Sequence, residues 1–395
     1  LFFKFLALPT YKIRSESSKY WYTPGCCGSR ASICLMCSDF DIGTANFGRN
    51  LQLTSQHGLI TGGTGLVGRH LLEVLLAAGE QVRALHRPSS DRKQVLDFLQ
   101  KKEVNTSELE WFEAELWDVE RLEEALQGCS RVYHCAAVVS FHHRDADRMM
   151  EVNRDATAKL VNSMLHLGTG ELIHVSSVSA LGRKEGEPVH ESVPFEEGAD
   201  VTHYARSKYL AEIEVWRGKE EGLKVLVVNP VIILGPGDFA RSSSTMFALA
   251  HKGFQWFPSG SNGFVSATDV ARACHLLATH ECWNERDMLC AENLPYRQVL
   301  TWMADALSTR PPVHRLRSWM MGLAWRCGRV LEIVTGRNSP ITRESVQNTN
   351  KVHAYESDFL ERTLERKGCA WEYESIQSTI EKTAPYVLGD LGATK

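Results

Sequence analysis

Gly58-Leu59-Ile60-Thr61-Gly62-Gly63-Thr64-Gly65-Leu66-Val67-Gly68 decides how this chain folds. An apolar, strand-like run turns through glycines into a helix-like run, Leu71 to Ala78. A strand that reaches a helix N-terminus through such a turn is a cradle for pyrophosphate. Backbone N–H groups and the positive end of the helix dipole meet the negative charge, and no side chain blocks the approach. The spacing is Gly-x-x-Gly-x-x-Gly, formed by Gly62, Gly65 and Gly68, with Thr64, Leu66 and Val67 among the intervening residues.

Outward from this stretch, short apolar runs recur at 58–61, 81–86, 109–113, 131–136, 171–176 and 224–229. Helical stretches fall at 67–78, 92–102, 119–126, 145–167 and 202–217. Strands that alternate with helices of this length predict an α/β fold, a doubly wound parallel sheet of the Rossmann type. Gly79 suits the left-handed position that ends the first helix. After Asn229 the rhythm breaks at Pro230, Gly235-Pro236-Gly237, Pro258-Ser259-Gly260 and Pro311-Pro312. The expected organisation is a dinucleotide-binding domain over 56–235 and a smaller, mixed C-terminal substrate lobe over 236–395. Residues 264–282 are expected to pack back on the first domain.

Residues 1–55 read as an N-terminal extension. A disordered tail, a targeting peptide and sequence upstream of a true start at Met36 all stay open. The 395 residues are 43% hydrophobic with a net charge of −4. That is ample for a buried core, and it argues against nucleic acid or an anionic membrane as the main partner. No apolar run reaches the roughly 18 residues of a spanning helix. An amphipathic stretch at 319–334 reads as a helix packed on the body. The 11 cysteines are odd in number and unpaired in spacing, as expected of reduced thiols in a cytoplasmic protein. The single Cys-x-x-Cys, Cys34 and Cys37, lacks a second pair, so no metal site is expected.

Three groups could carry chemistry. At the end of the second strand a cofactor ribose is read: an acid there bonds a 2′-hydroxyl, an arginine a 2′-phosphate. This chain offers Arg87 and no acid before Asp91, which favours NADP(H) over NAD(H). Tyr204 and Lys208 stand four residues apart, on one helix face. An ammonium beside a phenol is expected to lower the tyrosine pKa. The fifth strand ends in serines, Ser176 and Ser177, where a hydroxyl can stabilise oxyanion charge or simply form a turn.

Taken together, Thr61–Gly68, Asp118, His134-Cys135-Ala136-Ala137, Asn153, Ser176-Ser177, Tyr204-x-x-x-Lys208 and Asn229-Pro230 resemble the extended short-chain dehydrogenase/reductase family. The likeness covers roughly 56–285 and is strongest to dihydroflavonol-4-reductase-like proteins, whose relatives include 3β-hydroxysteroid dehydrogenases. The resemblance implies that Gly62, Thr64, Gly65, Leu66, Val67 and Gly68 form the pyrophosphate turn. It makes Asp118 the acid near adenine, and Ala136 and Ala137 the small residues lining the cofactor. Pro230 and Val231 would lie beside the carboxamide, and Asn153 would have a structural or proton-relay role. Ser177, Tyr204 and Lys208 become the catalytic set. The implied activity is reversible hydride transfer between nicotinamide and a ketone or secondary alcohol. A homodimer is the habit of many members.

The chain lacks the Asp-Glu pair that sugar-nucleotide dehydratases carry after the serine; Val178-Ser179 stand there. A nucleotide-sugar epimerase, which would retain its NAD(H), and a non-catalytic NADP-binding protein are the alternatives. The aromatic lobe residues Phe247, Phe254, Trp256, Phe257, Trp319 and Trp325 read either as walls of an apolar substrate pocket or as core. His142 and His143 read as substrate-bordering or exposed polar residues.

Overall fold

Alternate residues of the predicted strands face opposite sides, and both sides are apolar. Leu59, Val132, Leu172, Val225 and Val227 bury against one helical layer; Ile60, Tyr133, Ile173, Leu226 and Val228 bury against the other. Two buried faces are what a parallel sheet with helices on each side requires. A computed structural model describes residues 57–392, except 185, 199–200, 318, 321, 323–324 and 327–349. The N-terminal extension, Cys34, Cys37 and most of 319–334 lie outside the described residues.

Strands β1 (His57–Thr61), β2 (Val82–His86), β3 (Leu109–Glu113), β4 (Cys129–His134), β5 (Glu171–Val175) and β6 (Lys224–Pro230) follow the expected runs. Between them come α1 (Leu66–Ala77), α2 (Arg92–Lys101) and α3 (Val119–Leu126). Gly79 has φ 78°, the left-handed residue that stops α1.

The expected single helix at 145–167 is instead three pieces. These are α4 (Ala146–Met149), a π-helical stretch (Met150–Asp155) and α5 (Ala156–Leu167). Buried Asn153 sits in the π-helical stretch. Helix α6 (His203–Glu220) leads into β6.

Beyond β6 lie β7 (Ile232–Leu234), α7 (Thr245–His251), β8 (Trp256–Pro258), β9 (Ser261–Ser266) and α8 (Ala267–Thr279). Then follow β10 (Glu285–Leu289), β11 (Glu292–Pro295), α9 (Tyr296–Ala306) and β12 (His314–Leu316). The main sheet has seven strands in the order β10-β6-β5-β4-β1-β2-β3, every pair parallel. Order reverses between β1 and β4, the switch point where such sheets open a crevice at their C-terminal edge. A second, mixed sheet runs β11-β9-β7, and β12 pairs with β8. Helix α8 packs on α1, and buried His70 of α1 bonds the Pro236 carbonyl region at 3.2 Å and Thr268 at 3.2 Å.

Strand β10 was not foreseen, because Arg286 and Asp287 interrupt its apolar pattern. Asp287 is fully buried, and neither carboxylate oxygen has a hydrogen-bond partner among the described residues. Burial holds its carboxyl well above the ordinary carboxylate range, and Glu191 and Glu361 push the same way. The folded state keeps a proton that the unfolded chain releases once pH passes the ordinary value. Stability from this group is therefore whole below that value and declines as pH rises toward the folded-state value. Asp287→Asn should abolish the decline. In thermal unfolding, its Tm should exceed that of the unsubstituted protein at about pH 8, with the gain shrinking toward about pH 5.

Candidate active site

The glycine turn closes by contact. Gly62 has φ 71°, and a Cβ there would stand 2.7 Å from the Ala136 backbone nitrogen. A Cβ on Gly68 would collide with the Gly62 carbonyl oxygen, so α1 starts hard against the turn. Gly65 is the exposed N-cap of α1, and no side chain caps it. The first-turn amides of an uncapped helix are left for an external acceptor, and no acid stands in that turn to repel one. Buried Arg69 braces the loop from behind, donating from Nε to the Gly65 carbonyl (3.4 Å) and from Nη2 to the Thr64 carbonyl (3.3 Å). Leu66 is half-buried and packs by Gly237, while Val67 belongs to the core. This open, amide-lined turn fits a dinucleotide diphosphate.

At the end of β4, Thr61 Oγ1 accepts from the Ala136 amide at 3.3 Å and lies 2.7 Å from His134 Nδ1. His134 in turn lies 2.8 Å from Thr157 Oγ1. Burial, with Lys208 nearby, pushes His134 down to about 3, so this ring is a neutral strut. Ala137 is exposed beside the turn. Pro230 ends β6, and the Val231 amide donates to Leu289 at 3.1 Å. Arg87 is exposed just past β2, and its side chain has no partner among the described residues. Asp91 caps α2 and Asp118 caps α3, each accepting from a backbone amide, at 3.3 and 3.2 Å.

Ser177, Tyr204 and Lys208 converge. Thr202 caps α6, which puts Tyr204 in its first turn and Lys208 one turn on. Ser177 Oγ accepts from the Ser179 amide at 3.2 Å, and its hydroxyl stands near enough to the Tyr204 phenol to favour the phenolate. The fully buried Lys208 Nζ donates to the Val175 carbonyl at 2.9 Å, at the end of β5. Burial pushes Lys208 down to about 8, opposed by the charge of Glu212. The expected fall in the tyrosine pKa does not occur. Burial raises the Tyr204 phenol, and the nearby Ser177 hydroxyl only partly offsets it.

Sequence reasoning missed Glu212 and Arg286. Fully buried Glu212 accepts from Asn229 Nδ2 and Arg286 Nη2, each at 2.6 Å. The same Asn229 Nδ2 donates to the Ser177 carbonyl at 2.9 Å. The available signal was the repeat Tyr204-x-x-x-Lys208-x-x-x-Glu212, one stripe along a helix. Asn153 bonds the Val138 amide (2.7 Å), the Val138 carbonyl (2.9 Å) and Ser207 Oγ (2.9 Å), tying the loop after β4 to α6.

Of the aromatic side chains, Phe141 is the one whose ring pairs with that of Tyr204 among the described residues. The Phe141 ring lies 6.1 Å from that of Tyr204, and exposed Val139 is its near neighbour in the chain. Phe247 is core, packed with Phe239 and Val299; Phe254 and Trp319 are exposed. His142 is buried and stacks on His143.

A family model for the NAD dependent epimerase/dehydratase family matches residues 58–289, more than half of the chain. Sterol demethylase protein B of Methylococcus capsulatus is 35% identical over 253 residues, 62% of this chain and 73% of that protein. A cinnamoyl-CoA reductase of Medicago truncatula is 30% identical over 234 residues, 55% and 71% of the two chains. The solved structure of UDP-glucose 4-epimerase from Thermus thermophilus in complex with NAD shares the fold, with a TM-score of 0.63. It is 21% identical and covers 85% of this chain and 100% of its own. With this match lying across the sheet and its glycine turn, the chain belongs to the NAD dependent epimerase/dehydratase family.

Proposed function

We propose that this protein is an NADP(H)-dependent oxidoreductase that interconverts a ketone and a secondary alcohol on an apolar substrate. The observation that carries the reading is the Ser177–Tyr204 hydroxyl pair, with Lys208 buried beside it on the same helix face. The dinucleotide, when bound on the glycine turn, supplies or accepts hydride. Tyr204 gives its proton to the substrate oxygen in reduction and takes it back in oxidation. Ser177 bonds the same oxygen and stabilises charge developing there. Lys208 holds positive charge beneath the site. Phe141 and Val139 offer the apolar surface next to the phenol. The sterol and cinnamoyl names of the two relatives accord with a ring-bearing substrate.

Turnover of NADPH against a panel of cyclic ketones, aldehydes and sugar nucleotides tests the class of reaction. Tyr204→Phe should lower kcat by about a hundredfold or more while NADPH still binds, measured by steady-state kinetics and by fluorescence titration. Retained turnover would overturn the role of Tyr204.

The uncommitted Arg87 guanidinium supports the phosphorylated cofactor. Arg87→Ala should raise the KM for NADPH about tenfold, the worth of one charge-assisted hydrogen bond, with little change for NADH.

Lys208 should set the alkaline limb of the pH–rate profile near the value of about 8 to which burial pushes it. Glu212 favours its charged form, so Glu212→Gln should move that limb to lower pH. A limb left in place in an otherwise active variant would show that another group sets it.

A further inference from the structure

Two loops of the C-terminal lobe are sewn together by hydrogen bonds. The first covers 249–255, the last turn of α7 and the path into β8; within it the Phe254 amide donates to the Leu249 carbonyl at 3.1 Å. The second covers 308–314, from the end of α9 into β12. Thr309 Oγ1 donates to the Ala250 carbonyl at 2.8 Å. The Val313 and His314 amides both donate to the Gln255 carbonyl, at 3.0 and 2.9 Å. The His314 ring stands 4.9 Å from that of Trp256. The two loops are therefore one piece of surface.

What this surface shows to water is apolar. Leu249 is 44% exposed, Phe254 44% and Val313 60%. Large apolar side chains exposed singly are ordinary, but three on two joined loops mark a contact surface. Cations stand among them. Lys252 lies between Leu249 and Phe254 in the chain, and Arg310 and Arg315 lie on either side of Val313; all three are exposed. None of them forms an ion pair among the described residues. Acids are scarce here. The chain has none between Asp238 and Asp269, and one, Asp305, between Glu292 and Arg317. The net charge of −4, which speaks against an anionic membrane as a partner of the whole surface, hides this local excess.

An apolar tip flanked by unpaired cations complements the interface of an anionic bilayer. The apolar side chains enter the boundary between headgroups and acyl chains, while the cations stay level with the lipid phosphates. A nucleic acid would engage the cations and leave the apolar side chains in water. We propose that these two loops dock the protein on the surface of a membrane that carries anionic lipid. The proposal goes beyond the oxidoreductase reading and stands independently of it.

The test is co-sedimentation of the full chain with vesicles of phosphatidylcholine alone and of an equimolar mixture with phosphatidylglycerol. Binding to the mixed vesicles should be about tenfold or more the tighter at low salt, and should weaken as salt is raised. Phe254→Ser combined with Val313→Ser should weaken it about tenfold, through lost apolar insertion. Lys252→Gln combined with Arg310→Gln should weaken it by about as much and remove most of the preference for anionic vesicles. All four side chains are exposed, so thermal unfolding of both double variants should match that of the unsubstituted protein. Residues 1–38 are basic as well, and the double variants separate their contribution from that of the loops. No binding to the mixed vesicles, equal binding to both kinds, or binding that survives both pairs of substitutions would overturn the proposal. Tighter binding of a DNA duplex than of the mixed vesicles would do the same. So would a dimer in vesicle-free solution that Phe254→Ser with Val313→Ser dissociates, since a second copy would then cover the loops.

Discussion

The geometry of the site depends on a carboxylate positioned away from the Tyr204 phenol. Glu212 is fully buried and is met by one amide and one guanidinium, each at 2.6 Å. Burying an ion pair brings little net stability, because desolvation cancels most of the attraction. What the pair supplies is registry. Arg286 comes from edge strand β10 and Asn229 from β6, while Glu212 projects from α6. Their bonds lock a helix to two strands at one height, and Asn229 passes that fix on to the Ser177 carbonyl. A serine in a short turn after β5 and a tyrosine at the start of α6 are far apart in sequence, yet their hydroxyls stand near each other.

The same logic holds at the glycine turn. Thr61, His134 and Thr157 form a buried polar chain that joins the ends of β1 and β4 to α5. Buried polar groups are tolerable when satisfied, and they then specify one arrangement where an apolar core would allow several. Asn153 does the equivalent work on the other side, spending its side-chain amide on the Val138 backbone and on Ser207. The π-helical stretch around it marks the local cost, since one wide turn is the deformation that aims the amide inward.

Strands β1 to β6 were legible because the runs are mostly apolar and the helices between them are long. Periodicity sees both features directly. The Tyr204–Lys208 spacing was legible for the same reason. Strand β10 was not, because Arg286 reads as a surface residue until Glu212 is seen opposite it, and Asp287 reads so until its burial is seen. The π-helical stretch was invisible because its sequence continues a helical pattern. The lobe strands are three to six residues long and pair across large separations, as β9 does with β7 and β11. Such pairings leave no local trace. Phe247 shows the limit of composition, since an aromatic in a substrate lobe can be plain core.

Burial also decides where the proton rests. The Tyr204 phenol is raised by desolvation, so near neutrality it carries its hydrogen. Lys208, lowered by desolvation to about 8, stands nearer its own titration than an exposed lysine would. The site is thus set as a proton donor, which suits a substrate oxygen acquiring negative charge in reduction. Oxidation must first draw the proton from a phenol that holds it firmly, and a positive charge brought close to the ring would ease that step by Coulomb attraction for the phenolate. Lys208 spends one of its three N–H donors on the Val175 carbonyl and keeps its charge, so it is the protein's own source of that attraction.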